Sequence, residues 1–255
     1  MALTANPISQ WPVNNSGVDT FGLQDMSSVS PSGYVAGHIG QALTYDGIND
    51  ESIVPHNAAY NFGDASTDRP FSIFMWINMV DATDFVLAGK GTGAADIEFF
   101  FRVDSIDRLH INLYDASLSV NIGRDSTATL TSEQGSYILV GFTYDGSSTS
   151  NGFKLYVGNG VSMTRIATSV NQSGIYTAMH SFTSDVYIGG AFSKFADGDI
   201  DVSYIFDYAL SDGGVVEGAS VGAGSDIDFL WNGGAGIELT LAANGLPFFF
   251  DAGHY

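Results

Sequence analysis

The chain of 255 residues contains no cysteine, which excludes a disulfide framework and any thiolate metal centre. Positive charge is nearly as scarce: 8 Lys and Arg face 28 Asp and Glu, for a net charge of −20. A surface this acidic repels a phosphate backbone, so nucleic acid is not an expected partner. No stretch approaches the roughly 18 consecutive apolar residues of a membrane span, and the triple Phe248-Phe249-Phe250 is far too short for one. Membrane insertion is therefore not expected. The opening Met1-Ala-Leu-Thr-Ala-Asn has neither a basic region nor an apolar run, and no signal peptide is expected. Signatures of nucleophilic or metal catalysis are missing as well. There is no Gly-x-Ser-x-Gly, and His38, His56, His110, His180 and His254 show no ligand spacing such as His-Glu-x-x-His.

What the chain does have is alternation. Phe71, Ile73, Met75, Ile77 and Met79 occupy every second position, as do Ile138, Val140, Phe142 and Tyr144, and Phe153, Leu155 and Val157. Leu109, Ile111 and Leu113 form a further row, with Arg108, His110, Asn112 and Tyr114 on the opposite parity. Successive side chains of a strand point to opposite faces, so each row predicts one face packed on a core. The segment 199–208 is expected to place Ile200, Val202, Tyr204, Phe206 and Tyr208 on one face and Asp199, Asp201, Ser203 and Asp207 on the other. Thirty-one glycines and the dipeptides Asp46-Gly47, Asp145-Gly146, Asp197-Gly198 and Asp212-Gly213 punctuate these runs with turn signals. Many short strands separated by frequent turns predict an all-β sandwich or jelly roll.

Six segments follow one another along the chain: Gln41-Ala-Leu-Thr-Tyr-Asp-Gly47, Phe71-Ser-Ile-Phe-Met-Trp-Ile77, Tyr137-Ile-Leu-Val-Gly-Phe-Thr-Tyr-Asp-Gly146, Gly152-Phe-Lys-Leu-Tyr-Val-Gly158, Val186-Tyr-Ile-Gly-Gly190 and Asp197-Gly-Asp-Ile-Asp-Val-Ser-Tyr-Ile-Phe-Asp-Tyr-Ala-Leu-Ser211. Their order and spacing resemble the concanavalin A-like, laminin-G-like domain. The resemblance implies a two-sheet antiparallel jelly-roll sandwich, the concanavalin A-like lectin/glucanase fold, over residues 1–221 including an entry segment. Residues 222–255 form a C-terminal extension. In it the runs Ile227-Asp-Phe-Leu-Trp231 and Ile237-Glu-Leu-Thr-Leu241 predict a hairpin packing on the domain or on a partner.

Three constellations bear on chemistry. Family-16-type glucanases of this fold carry Glu-x-Asp-x-Glu on one strand face. The nearest match here, Ala94-Ala-Asp96-Ile-Glu98, has Ala at the nucleophile position, so glycosidase activity and catalysis generally are not expected. Asp199 and Asp201, with Asn49 and Asp50 after the Asp46-Gly47 turn, supply the oxygen ligands that Ca²⁺ prefers. The positions that an EF-hand loop reserves for Gly and Glu hold Val202 and Tyr208, and solvated or hydrogen-bonded carboxylates explain the same residues. Sugar sites combine an aromatic platform with amide and imidazole groups, which Trp76, His110, Asn112 and Tyr114 provide. Trp76 equally suits packing in a strand buried on both faces, and the other three suit a solvated outer face.

The resemblance implies a non-catalytic recognition or structural protein of a tailed-bacteriophage virion, as a tail-fibre or spike component or a capsid decoration. Such a protein is made in the host cytoplasm and resides in the virion. Its expected partners are other virion proteins or copies of itself, a trimer among them, and host or environmental glycans. The alternative is an extracellular carbohydrate-binding lectin, with or without Ca²⁺.

Overall fold

The computed structural model describes residues 3–232. In chain order the strands are β1 Ser9–Trp11, β2 Ser28–Val29, β3 Gly33–Ala36, β4 Gln41–Asp46, β5 Ser52–Val54 and β6 Phe71–Asp81. Next come β7 Val86–Lys90, β8 Phe99–Val103, β9 Arg108–Asp115, β10 Val120–Thr129, β11 Ile138–Tyr144 and β12 Phe153–Gly158. The last are β13 Met163–Arg165, β14 Thr168–Ser173, β15 Val186–Ile188, β16 Gly190–Ala191, β17 Lys194–Phe195 and β18 Asp197–Phe206, followed by helix α1 Asp226–Asn232.

The strands build two eight-stranded antiparallel sheets. Sheet 1 runs β13-β12-β11-β6-β18-β4-β3, with β1 also pairing with β18, and sheet 2 runs β14-β10-β9-β8-β7-β15-β5-β2. Strands β16 and β17 form a separate small hairpin. The expected jelly-roll sandwich is the fold observed. Its core is the layer between the sheets, where the predicted rows meet: Ile73, Met75 and Ile77 from β6, Val140 and Phe142 from β11, and Leu109, Ile111 and Leu113 from β9. Phe71 anchors this layer, stacked on Phe62 at 4.1 Å and set edge-on to Phe142 at 5.2 Å. Edge-on and offset aromatic pairs of this kind add to the stabilisation from area burial.

One row departs from the sequence expectation. Along the β6–β18 ladder Ile200 lies opposite Ile77 and Ser203 opposite Met75, so both Asp201 and Val202 face the single residue Trp76. The extra residue is a β-bulge, and it reverses the inside–outside parity downstream. Ile200 and Ile205 point into the core, whereas Val202, Tyr204 and Phe206 point to the outer face of sheet 1. The predicted division of residues 199–208 into two uninterrupted faces is thus corrected at Asp201.

The outer face of sheet 1 is itself covered. Helix α1 takes up the stretch Ile227–Trp231 that the sequence pattern assigns to a strand; the second expected strand, 237–241, lies outside the described residues. The Ser225 hydroxyl accepts the Asp228 N–H at 3.2 Å, and the Gly224 N–H donates to Asp228, a side-chain cap that starts the helix. Ile227 and Leu230, one turn apart, join Phe74, Trp76, Tyr204 and Phe206 in a second apolar cluster. The Asp226 carboxylate ties this layer together, accepting from Thr4 N–H at 2.8 Å and from Ser211 N–H at 3.0 Å.

Gly141 of β11 is fixed by this packing, because a Cβ there would lie 2.2 Å from the ring of buried Phe74. We expect Gly141→Ala to lose about 1–3 kcal/mol through overpacking, read as a lower urea midpoint at unchanged m-value.

Candidate functional site

The open surface of the sandwich is the outer face of sheet 2. In β8, Phe99 and Phe101 point to the core while Phe100 and Arg102 point outward, and in β9 the outward residues are His110, Asn112 and Tyr114. Against this face folds the β16–β17 hairpin, whose two tip residues, Phe192 (φ 53°) and Ser193 (φ 60°), are both left-handed. Positive φ is uncommon for a bulky residue and persists only where surrounding structure holds it. The hold is visible. The Phe192 ring sits edge-on to Phe100 at 4.9 Å, and Gly89 beneath it leaves the room, since a Cβ there would come within 2.9 Å of Ala191 and 3.0 Å of Phe192.

Between the hairpin tip and β9 opens a cleft of about 560 Å³, whose walls include Ile97, Phe100, Tyr114 and Phe192, with Arg102 and Asp115 among its polar groups. This is the size and composition of a small-molecule site: apolar walls with a few fixed polar groups. Arg102 lies over the Phe100 ring at 5.2 Å and pairs with Asp84, which Lys194 also holds at 2.6 Å. Burial pushes the Tyr114 phenol up, opposed by Asn112 and the Arg102 charge, so it remains a neutral donor and acceptor at physiological pH. Asp115 is committed to its own turn, accepting from Ser117 Oγ at 2.7 Å.

Beside the cleft the same face carries a polar network. Arg108 spans two carboxylates, at 2.9 Å from Asp104 and 3.1 Å from Asp125. Asp125 also meets His110 Nδ1 at 2.7 Å and accepts from Asn171 Nδ2 at 2.9 Å. Asp104, His110 and Asp125 bring ligand atoms within 4.8 Å of one another, close enough for one metal ion. The Arg108 guanidinium already supplies the positive charge there, so the residues fit an internally neutralised network better than a metal centre. Next to it the Asn112 Oδ1 is buried without a hydrogen-bond partner among the described residues, and Gly123 makes space for it, a Cβ there lying 2.0 Å away.

The sequence-predicted sugar candidates therefore divide. His110, Asn112 and Tyr114 share the outer face of sheet 2, and Tyr114 lines the cleft. Trp76 belongs to the other sheet, is 3% exposed, and lies stacked on His38 at 3.6 Å and Trp231 at 5.3 Å, which removes it from that site. The predicted metal candidates divide too. Asn49 and Asp50 sit at the β4–β5 turn, where Asp50 Oδ2 accepts from Ser32 N–H at 2.8 Å and Asp46 N–H at 3.1 Å. Asp199 and Asp201 lie on the outer side of sheet 1, and burial pushes the Asp201 carboxyl up to about 7 against the pull of the Ile39 amide. Glu98 is fully buried in an ion pair with Lys90, and Asp96 accepts from Thr92 and Gly93 N–H groups, so neither is a free catalytic carboxylate.

Residues 55–215 match the family model Laminin_G_3, the concanavalin A-like lectin/glucanases superfamily. The chain belongs to that superfamily. Comparison with curated proteins gives no match. Among solved structures, domain 4 of AbnA, a GH43 extracellular arabinanase from Geobacillus stearothermophilus solved in complex with arabinotriose, is similar with a TM-score of 0.56 at 14% identity, covering 81% of this chain and 95% of that one. The binding domain of Paraclostridial Mosquitocidal Protein 1 gives a TM-score of 0.60 at 12% identity, over 89% of this chain and 52% of the other. The binding domain of botulinum neurotoxin serotype D gives 0.55 at 15% identity, over 91% and 51%. This superfamily chain thus spans about half the length of the two toxin domains, and at such identities the likeness is one of fold.

The network on the cleft's flank makes a pH prediction. Burial alone would raise the Asp125 carboxyl, but hydrogen bonds from His110 and Asn171 and the charges of His110 and Arg108 outweigh it and hold it below the usual carboxylate range. A depressed folded pKa contributes stability above the unfolded value of about 3.9 that is lost as pH falls through the folded one. Below about pH 4 the melting temperature of the wild type should fall more steeply than that of Asp125→Asn, as followed by circular dichroism.

Proposed function

We propose that the domain is a non-catalytic glycan-recognition module and that the cleft between Phe192 and Tyr114 receives the sugar. The observation that carries this reading is the cleft itself, in which aromatic walls and Arg102 are set on a rigid sheet and a hairpin. Aromatic rings suit the C–H faces of a pyranose or furanose, and a guanidinium and a phenol suit its hydroxyls. The superfamily includes lectins, and the arabinanase domain of the same fold was solved with arabinotriose. Both support the reading.

The setting we propose is the one the sequence resemblance suggests, a recognition part of a tailed-bacteriophage particle, as fibre or capsid decoration. Residues Thr4 and Ala5 and helix α1 lie together against the outer side of sheet 1, on the opposite side of the sandwich from the cleft. A domain attached through that side presents its cleft outward. Many copies on one particle then raise avidity without strengthening any single site. The proposed contacts at the cleft do not require the Ca²⁺ expected from the sequence.

A glycan array on the full chain, followed by calorimetry with the best ligand, tests the reading. Phe192→Ala and Tyr114→Ala should each weaken binding by about tenfold or more, the loss of ~1.4 kcal/mol, while leaving the melting temperature close to wild type. Binding unaffected by both substitutions, or no glycan binding at all, would remove the cleft from consideration.

A further inference from the structure

The interior holds an ion pair to which glycan recognition gives no role. Lys90, the last residue of β7, and the Glu98 carboxylate paired with it are both 0% exposed. The β7–β8 ladder sets Lys90 opposite Phe99, a core residue, so its side chain runs into the sandwich. Its Nζ donates to Glu98 Oε1, to the Phe182 carbonyl at 3.0 Å and to Asn61 Oδ1 at 3.0 Å. Asn61 follows the 3₁₀ turn Ala58–Tyr60. Its Nδ2 donates to Ser181 Oγ at 2.6 Å, which holds the carboxamide with its oxygen toward Lys90. Phe62 and Phe99, the sequence neighbours of Asn61 and Glu98, are buried in the core and shield the group from water.

An amine, a carboxamide and a carboxyl group in contact away from water are the reactants of an amide exchange. Attack on the carboxamide needs an uncharged amine. Burial pulls the Lys90 ammonium down and pushes the Glu98 carboxyl up, each opposed by the charge of the other. A proton therefore passes from Lys90 to Glu98 more easily here than in water. The Phe182 N–H fixes Glu98 Oε1 at 2.8 Å, whereas Oε2 is buried without a partner among the described residues. An ion pair with a purely structural role has no use for that orphan oxygen, and a proton carrier does. The Asn61 carbonyl carbon lies one bond, about 1.2 Å, beyond the oxygen that Lys90 already touches. A turn of the carboxamide brings it within the roughly 3–3.5 Å of a near-attack contact.

We propose that Lys90 Nζ and Asn61 Cγ join in an intramolecular isopeptide bond, formed once after folding with Glu98 as proton carrier. The Glu98 carboxylate takes a proton from the ammonium, and the freed lone pair attacks Asn61 Cγ as the C=O π pair moves onto Oδ1. When that pair returns, the Cγ–Nδ2 bond breaks, and Glu98 relays a proton from Nζ to Nδ2, which leaves as ammonia. Of the three ammonium protons, one stays on the new amide, one departs with ammonia and one ends on Glu98. Atoms and charge balance, and nothing is oxidised or reduced. Ser181, which holds Nδ2, is exposed, so the ammonia has an exit. The bond ties the segment ahead of β6 to the end of β7 and closes a covalent loop around the central strand of sheet 1. Such a cross-link restricts the unfolded chain, a brace that a chain without cysteine cannot obtain from a disulfide. This inference is independent of the glycan reading, since none of the three residues lines the cleft.

The test is the intact mass of the full chain, folded and then denatured, followed by sequencing of its chymotryptic peptides. The wild type should be lighter than its sequence requires by one molecule of ammonia. Chymotrypsin cuts at Phe71 and Phe85, between the two partners, so a branched peptide should still join the segment holding Asn61 to the one holding Lys90. Lys90→Met should show the full sequence mass. So should Glu98→Gln, which keeps the side-chain shape and removes the proton carrier, read on protein whose circular dichroism matches the wild type. A wild-type mass equal to that of the sequence overturns the proposal, and this measurement needs no variant to fold. A loss of ammonia that sequencing places at another asparagine overturns it too, as does a loss of water, which would put the bond on Glu98. Retention of the bond in Glu98→Gln overturns the role given to Glu98.

Discussion

The pairing of β6 with β18 organises the molecule. It joins residues 71–81 to residues 197–206, and each partner then carries further strands. Strand β6 brings β11, β12 and β13 on one side, while β18 brings β4 and β3 along its first half and β1 along its second. The inward residues of this pair face the core row of β9 in sheet 2, so one ladder sets the register of the whole interior. Its outward residues seat α1 and the N-terminal residues. Because the side-chain period of a strand is two, the bulge at Asp201 and Val202 decides which of these residues go where.

Scarcity of positive charge shapes the rest. With so few cations, each is used at a particular place: Arg108 between two carboxylates, Lys90 inside the sandwich against Glu98, and Arg102 and Lys194 on one shared Asp84. Many of the remaining carboxylates are held by backbone N–H groups in their own turns, as Asp19 is by Phe21, Leu23 and Gln24, and Asp64 by Ser66 and Thr67. Carboxylates stabilised by amides need no counter-ion, which is how a chain this acidic folds with so little compensation. Asp201 and Glu98 each bury one carboxylate oxygen that has no donor among the described residues.

How far the sequence revealed this depended on the range of the interactions. The alternating rows of β6, β9, β11 and β12 were legible because side-chain parity is a local property, and they correctly divided Leu109, Ile111 and Leu113 from His110, Asn112 and Tyr114. The bulge was not legible. An extra residue in a ladder is defined by the partner strand, and nothing in Ile200-Asp-Val-Ser203 marks it. The short run Ile227–Trp231 suits either period, and tertiary packing with the Ser225 cap settled it as helix. Trp76 and the β9 trio were grouped by chemistry alone, whereas sheet order separates them. Phe100, Arg102 and Phe192 escaped notice for different reasons. The first two were masked by the apolar run Phe99-Phe-Phe101, and Phe192 reaches the cleft through a left-handed turn that lacks the Gly or Asn usually marking one.

That turn has an evolutionary consequence. One wall of the cleft rests on a six-residue hairpin, in which Gly190–Ala191 pairs with Lys194–Phe195 as a sheet of its own outside both large ladders. Residues at its tip can therefore drift in size and polarity under selection while the sandwich beneath keeps its register. If the cleft is the binding site proposed above, its ligand preference is open to change at two positions that belong to neither large ladder.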